Sequence, residues 1–173
     1  LNLYKALQAA IPSEGTIRLD RGDYAEGADI GVLLADWDLR GAGQQGVLVE
    51  SDGGDLETLI LTETQVALGV FWGMIGSTSA AVELDDGTLQ VQHGENIYAR
   101  YVDGDDGLGQ GDRWRQAVAA ADYEPPAVSD LQIEIQRAGA TIELMTDEPT
   151  IARIRYGTMC GGPYDLIEKG SDL

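Results

Sequence analysis

Apolar and polar side chains alternate with a period of two along most of this chain. In "GTIRLDRGDY" Ile17 and Leu19 fall on one side, Arg18 and Asp20 on the other. "DIGVLLADWDL" groups Ile30, Val32 and Leu34, and "NIYARYVD" alternates Ile97, Ala99 and Tyr101 with Tyr98, Arg100 and Val102. Between them lie "GVLVES", "LETLILTET", "GVFWGMIGS" and "GTLQVQHG". A two-residue period sends successive side chains to opposite faces of a strand, so each segment is expected to be extended. Turn residues separate them in "EGAD", "RGAGQQ", "SDGGD", "LDDG" and "HGE". Asp85-Asp86-Gly87 and His93-Gly94 suit hairpin turns. The pattern predicts about seven strands within residues 13–107, at the spacing of an antiparallel β-sandwich.

Two segments carry a helical period instead. "LNLYKALQAA" places Leu3 and Leu7 one turn apart, with Ala6 and Ala10 beside them, and predicts a short helix over residues 1–12, stopped by Pro12. "RWRQAVAAADY" puts Trp114, Val118 and Ala121 on one side and fits either a helix or an extended linker. Residues 108–127 turn Gly-rich, then Ala-rich, then "EPP", which is the composition of a linker. Strand patterning resumes over residues 128–173. "SDLQIEIQ" carries Leu131, Ile133 and Ile135, "ATIELMTDEP" carries Ile142 and Leu144, and "TIARIRYGT" carries Ile151 or its neighbours Ala152, Ile154 and Tyr156. A complete sandwich takes about 100 residues, so this second module is expected to be partial. It should expose an edge strand or an apolar face, which could pair with another copy.

The 173 residues carry a formal charge of −19, and 43% of them are apolar. That apolar share supports a packed core and excludes a disordered acidic tail. The charge repels phosphate backbones and the 11 Lys and Arg form no cluster, which excludes nucleic-acid binding. The longest apolar run, "VALGVFWGMIG", is broken by glycines and falls short of the roughly 18 residues of a membrane span. No signal peptide is visible and the sequence opens at Leu1 without Met, as expected of a piece of a longer protein. Cys160 is the sole cysteine and reads as an isolated thiol in the turn "MCGGPY". Excess acid also keeps a protein soluble and suits salty surroundings.

Three stretches resemble known families. "SDLQIEIQRAGATIELMTDEPTIARIRYGT" resembles the opening half of fibronectin type III-like modules of secreted bacterial and archaeal enzymes. There a strand pair ending in "T-D-E-P" leads into "x-x-R-I-x-Y-G-T", and Thr146, Asp147, Glu148, Pro149, Arg153, Tyr156, Gly157 and Thr158 match. Such modules continue with three further strands. The region from "GTIRLDRGDY" through "LTETQVALGVFWGMIGST" to "GTLQVQHGENIYARYVDGDDG" is similar to an immunoglobulin-like repeat of large exported proteins, often subtilisin-like peptidases or surface-layer proteins. Glu63, Gly69, Val70, Phe71, Gly73, Ile97, Ala99, Tyr101, Asp103, Asp105, Asp106 and Gly107 fit its phrasing, while Glu95 replaces an aspartate. Finally, "LNLYKALQAA" is similar to the last helix of subtilisin-like catalytic domains. Together the resemblances imply the tail of a peptidase domain (1–12), an immunoglobulin-like β-sandwich (13–107), a linker (108–127) and a partial fibronectin type III-like module (128–173). They also imply a secreted or cell-surface location, with an upstream peptidase domain of the same polypeptide as partner.

Candidate chemistry is sparse. His93, the one histidine, sits in an expected hairpin turn. "GSTSAA", residues 76–81, shares letters with the subtilisin serine motif "G-T-S-x-A-A". That motif needs a strand-to-helix turn to hold the oxyanion, whereas here Val82 replaces its proline and strands follow. No catalytic triad is therefore expected within the chain. The loop "DGDDGLGQGD" brings the candidate metal ligands Asp103, Asp105, Asp106 and Asp112. Calcium takes roughly six to eight oxygens and tolerates irregular loops, and glycine lets carbonyls turn inward. The spacing fails the EF-hand pattern, with Gly107 and Leu108 at positions reserved for Asp or Asn and for Gly. The alternative is a solvated turn. Asp20, Asp23, Glu26 and Asp29 form a second acidic group, and Asp52 and Asp55 read as turn residues. Trp37 and Trp72 are expected in the core rather than on a carbohydrate platform, with Trp114 docking the two modules. The expected role is a non-catalytic accessory segment of an exported subtilisin-like peptidase, the alternative a calcium-stiffened surface-layer or adhesin-type module.

Overall fold

A computed structural model describes residues 14–107, 111–137 and 139–170. Every regular element among them is a strand. The helix expected over residues 1–12 lies outside the described residues. The chain forms two compact units that divide between Glu124 and Pro125.

The first unit contains β1 (Thr16–Leu19), β2 (Asp23–Tyr24), β3 (Asp29–Ala35), β4 (Gln44–Ser51), β5 (Leu56–Glu63), β6 (Val70–Thr78), β7 (Thr88–Gln90), β8 (Asn96–Asp103) and β9 (Arg113–Ala121). All nine belong to one sheet in the order β1-β3-β6-β5-β4-β8-β9-β2, with β7 pairing in parallel beside β6. β1 and β2 thus occupy opposite margins, yet only Asp20, Arg21 and Gly22 separate them in sequence. A stretch that short reaches about 14 Å, while a flat sheet of eight strands would set its margins roughly 34 Å apart. The sheet must therefore roll until its margins meet.

Rolling gives the sheet a concave face, and the alternating apolar residues fill it. Ile30, Val32 and Leu34 of β3, Val49 of β4, Leu61 of β5, Phe71 of β6 and Ile97 and Ala99 of β8 are buried without measurable exposure. The register explains why they meet: Ile30 lies opposite Ile75, Leu34 opposite Phe71, and Val49 opposite Ala99. β1 adds Ile17 and the two-residue β2 adds Tyr24.

The segment expected to be a helix or a linker is β9. It pairs antiparallel with β8 along its whole length, from Asp103 opposite Arg113 to Asn96 opposite Ala120. Alanine favours helices when nothing else decides. Here Ala119 and Ala121 are buried on the concave face while Trp114 and Val118 point outward, so the period is two and packing overrides propensity. The unit consequently reaches Glu124 rather than ending at residue 107.

The second unit contains β10 (Val128–Gln136), β11 (Gly139–Thr146), β12 (Arg153–Tyr156) and β13 (Leu166–Lys169). They form two separate antiparallel pairs, β10 with β11 and β12 with β13. A register shift between Ser129 and Gln132 coincides with Asp130 in the left-handed region at φ 48°. Every position of β10 is exposed, Ile135 to 84%.

The two units should answer differently to loss of apolar side chains. Leu61→Ala empties a fully buried site and should lower stability of the first unit by about 2–5 kcal/mol. Ile133→Ala, at an exposed site, should change stability by no more than about 0.5 kcal/mol. Urea unfolding of the intact chain, followed by tryptophan fluorescence and far-UV dichroism, measures both.

Candidate functional site

The alternation of β8 continues past Tyr101 to Asp103, so the last inward position carries a carboxylate. Asp103 is fully buried. Its Oδ2 accepts hydrogen bonds from Arg115 Nη2 at 2.9 Å and Nε at 3.0 Å, and from the Gly15 N–H at 3.0 Å. Its Oδ1 accepts the Asp105 N–H at 3.3 Å. Arg115 stands on β9 in register with Tyr101, and its Nη1 reaches Glu14 Oε1 at 2.7 Å. The hydrogen bonds that Arg115 donates to Asp103 push its pKa further up. Residues just before β1 and residues of β8 and β9 are thus joined where the margins of the sheet converge.

A second buried carboxylate lies alongside. Asp36 Oδ2 accepts the Tyr101 hydroxyl at 3.3 Å and its Oδ1 accepts the Asp38 N–H at 2.9 Å. Burial, reinforced by the neighbouring charge of Asp103, raises the Asp36 pKa. Burial and the charges of Asp36 and Asp103 raise that of Tyr101, which keeps its proton and donates it. Gly15 completes the cluster, because a Cβ there would collide with the Tyr101 hydroxyl and come within 3.1 Å of Asp36 Oδ2.

The acidic loop is drawn into this arrangement unevenly. Asp105 Oδ1 accepts the Gly107 N–H at 2.9 Å, an Asx-type turn. Asp106 is buried, with Oδ2 3.7 Å from Arg113 Nε. Asp112 adopts φ 52°. Among the described residues no three acidic, His or Cys side chains converge as metal ligands do. Asp103 spends both oxygens on the chain's own donors, Oδ2 on the Arg115 guanidinium and the Gly15 amide and Oδ1 on the Asp105 amide. In the second acidic group, Asp20 Oδ1 accepts the Tyr24 hydroxyl at 2.6 Å and the Gly31 N–H at 2.9 Å. Burial pushes that carboxyl up, but these bonds and Arg21 outweigh it and hold its pKa below the ordinary value.

Other carboxylates repeat the theme. Glu63 accepts three backbone N–H groups, from Gly69 at 2.7 Å, Gly41 at 2.8 Å and Gly43 at 3.0 Å. All three glycines have positive φ, a conformation that aims their amides at one point. Burial raises the Glu63 pKa, yet the amides overcome this and the net shift is downward. Glu57, almost wholly buried, takes the N–H groups of Asp86 and Gly87. Asp55 is equally buried and takes those of Gln90 and Leu56, so it ties two segments together as well as shaping its turn. Asp52 Oδ2 accepts the backbone and side-chain amides of Asn96, its Oδ1 accepts the Tyr98 hydroxyl, and these bonds lower its pKa.

Neither tryptophan expected in the core, Trp37 or Trp72, is fully buried. Trp37 is half-buried, with Arg40 stacked 4.4 Å from its ring. Trp72 and Trp114 are on the convex face, 37% and 61% exposed. Trp114 stands opposite Val102 on β8. For Trp72 the sequence signal was ambiguous, since both faces of "VFWGMI" are apolar.

Removing Arg115 strands a buried carboxylate, so Arg115→Ala should cost about 3 kcal/mol in urea unfolding. Arg115→Lys should recover only part, because an ammonium cannot present the same fork. Glu63 ionises more readily in the folded chain than its ordinary value of 4.5, so its contribution is complete above that pH and is lost as pH falls through the lowered folded value. Glu63→Gln should therefore destabilise at pH 7 and flatten the acid limb of a melting-temperature-against-pH curve.

No protein-family profile matches this sequence, and no curated protein matches it significantly.

Proposed function

We propose that this chain is a non-catalytic accessory module of an exported subtilisin-like peptidase, serving as spacer, stabiliser or substrate-presenting element. The observation that carries this reading is the use made of Asp103. An acidic residue shared with the exported immunoglobulin-like repeats is spent on Arg115 and Gly15 inside the sheet. The same holds for Asp36, Asp55, Glu57 and Glu63, whose oxygens serve the chain's own donors. His93 supports the reading as well: its Nδ1 accepts the Tyr123 N–H at 3.0 Å beside Asp122 and Glu124. The "GSTSAA" serines serve structure too, with Ser77 donating to Ala28 O at 2.7 Å and Ser79 bonding Glu26.

Two measurements test it. Purified chain should neither cleave labelled casein nor react with a serine-directed fluorophosphonate, and the encoding frame upstream of Leu1 should carry a subtilisin-like serine motif. Casein cleavage that disappears in Ser77→Ala or Ser79→Ala would overturn the proposal. Melting in chelator and in excess calcium separates it from the calcium-stiffened surface module, whose candidate ligands are Asp103, Asp105, Asp106 and Asp112. That alternative requires a gain of about 2.7 kcal/mol at a hundred times the dissociation constant, whereas the accessory reading expects superimposable curves.

A further inference from the structure

The first unit ends where the chain runs into Pro125 and Pro126. Neither proline carries an N–H, so the Tyr123 and Glu124 amides are the last two backbone donors of the unit. Just before them the chain is pinned by backbone alone. The Ala121 N–H donates to Glu95 O at 2.9 Å, the Asp122 N–H to Tyr24 O at 2.9 Å, and the Gly94 N–H to Ala121 O at 2.8 Å. The last two amides are pinned by side chains instead. Tyr123 N–H donates to His93 Nδ1 at 3.0 Å and Glu124 N–H to Asp122 Oδ1 at 3.2 Å. An N–H can meet only a lone pair, so Nδ1 is bare and the proton of the neutral ring is on Nε2, 3.6 Å from Glu124 Oε1. The two acceptors lie side by side, with Nδ1 and Asp122 Oδ1 3.6 Å apart. The His93 side chain is 44% exposed, so protons from solvent reach it.

We propose that His93 is a pH-operated catch on this exit segment, closed while its imidazole is neutral and open once it is an imidazolium. A second proton can enter only at Nδ1, the atom that holds the Tyr123 amide. Nδ1 then becomes a donor, and the acceptor facing it is Asp122 Oδ1, the atom that holds the Glu124 amide. One proton therefore removes the acceptor of the Tyr123 N–H outright and sets His93 in competition with the Glu124 N–H for the other. Charged on both sides, the His93–Asp122 bond is the stronger competitor. The charged groups that face His93 and Tyr123 are Asp122 and Glu124 on the exit, Glu95 in the turn and Glu26 after β2. All four are carboxylates, so an imidazolium meets opposite charge there. The backbone bonds of Ala121 and Asp122 stay, as does the Tyr123 hydroxyl, which donates to Val91 O at 2.7 Å. Opening is thus confined to the Tyr123 and Glu124 backbone, the step that leads on to the second unit. Histidine ordinarily changes charge between about pH 5 and 8, so acidification across that span loosens the exit. The catch needs only these residues and stands apart from the peptidase reading.

His93 is the sole histidine, so a single ring signal reports its charge. NMR of the whole chain from about pH 8 to about pH 5 tests the catch. It reads that signal together with the solvent exchange of each backbone amide, corrected for the pH dependence of free amides. Protection of Tyr123 should fall by roughly three- to tenfold, the share that one ordinary hydrogen bond confers. The fall should share the midpoint of the His93 ring titration, while Ala121 and Asp122 keep their protection. His93→Phe, which has no acceptor, should leave Tyr123 open across the whole range. His93→Gln, which cannot titrate there, should make Tyr123 protection independent of pH. Tyr123 protection that holds constant through the His93 titration overturns the proposal, as does an undiminished pH-dependent fall in His93→Gln. A loss shared equally by Ala121 and Asp122 overturns it too, because the whole margin of the sheet would then be opening.

Discussion

A carboxylate that never meets water holds the first unit closed. The topology forces β1 and β2 to opposite margins of the same sheet, and once it has rolled those margins must be joined by something other than a continuous ladder. Asp103 joins them, binding Arg115 of β9 and the amide that precedes β1. The core residues supply most of the stabilisation through buried apolar area. What they cannot do is set where the seam lies, because hydrophobic burial has no direction. Charge-assisted hydrogen bonds do have one.

The same chemistry recurs at the turns. Glu63, Glu57, Asp55 and Asp52 each gather amides that rigid loops would otherwise leave unpaired. In a chain without a disulfide among the described residues, these clamps do locally what cross-links do elsewhere. Part of the acidic excess is thus internal architecture rather than a solvating coat. Buried acids are tolerated here because each has partners, and among the described residues no buried side-chain polar atom lacks one.

Much of this was legible in the sequence, and the exceptions have physical causes. Two-residue alternation marks β1, β3 to β5, β8, β10 and β11 because each shows one apolar side. It also marks Asp103 as inward-facing, since Ile97, Ala99 and Tyr101 fix the phase two residues apart. Alternation carries no information on strand order, so the single rolled sheet could not be read in place of a sandwich. β9 was hidden because its inward positions are Arg115 and alanines, residues that say nothing of a strand until β8 is beside them. Trp72 was misplaced because apolar residues occupy both faces of β6 and the period cannot choose between them. The role of Glu63 depends on three glycines, two of them some twenty residues upstream, a convergence visible only in space.

The routes into and out of the first unit have a mechanical meaning. The chain arrives at Gly15, beside Asp103, and leaves after Ala121, near the far end of β8 where Asn96 lies. Tension between those two points runs along the strands instead of across them. Antiparallel hydrogen bonds are perpendicular to the strands, so the β1–β3 and β8–β9 ladders would be sheared together and not peeled open bond by bond. A fold of this kind resists being drawn out lengthwise, and the hydrogen bond from the Gly15 amide to Asp103 is the side-chain contact that such a pull at the entry point would load.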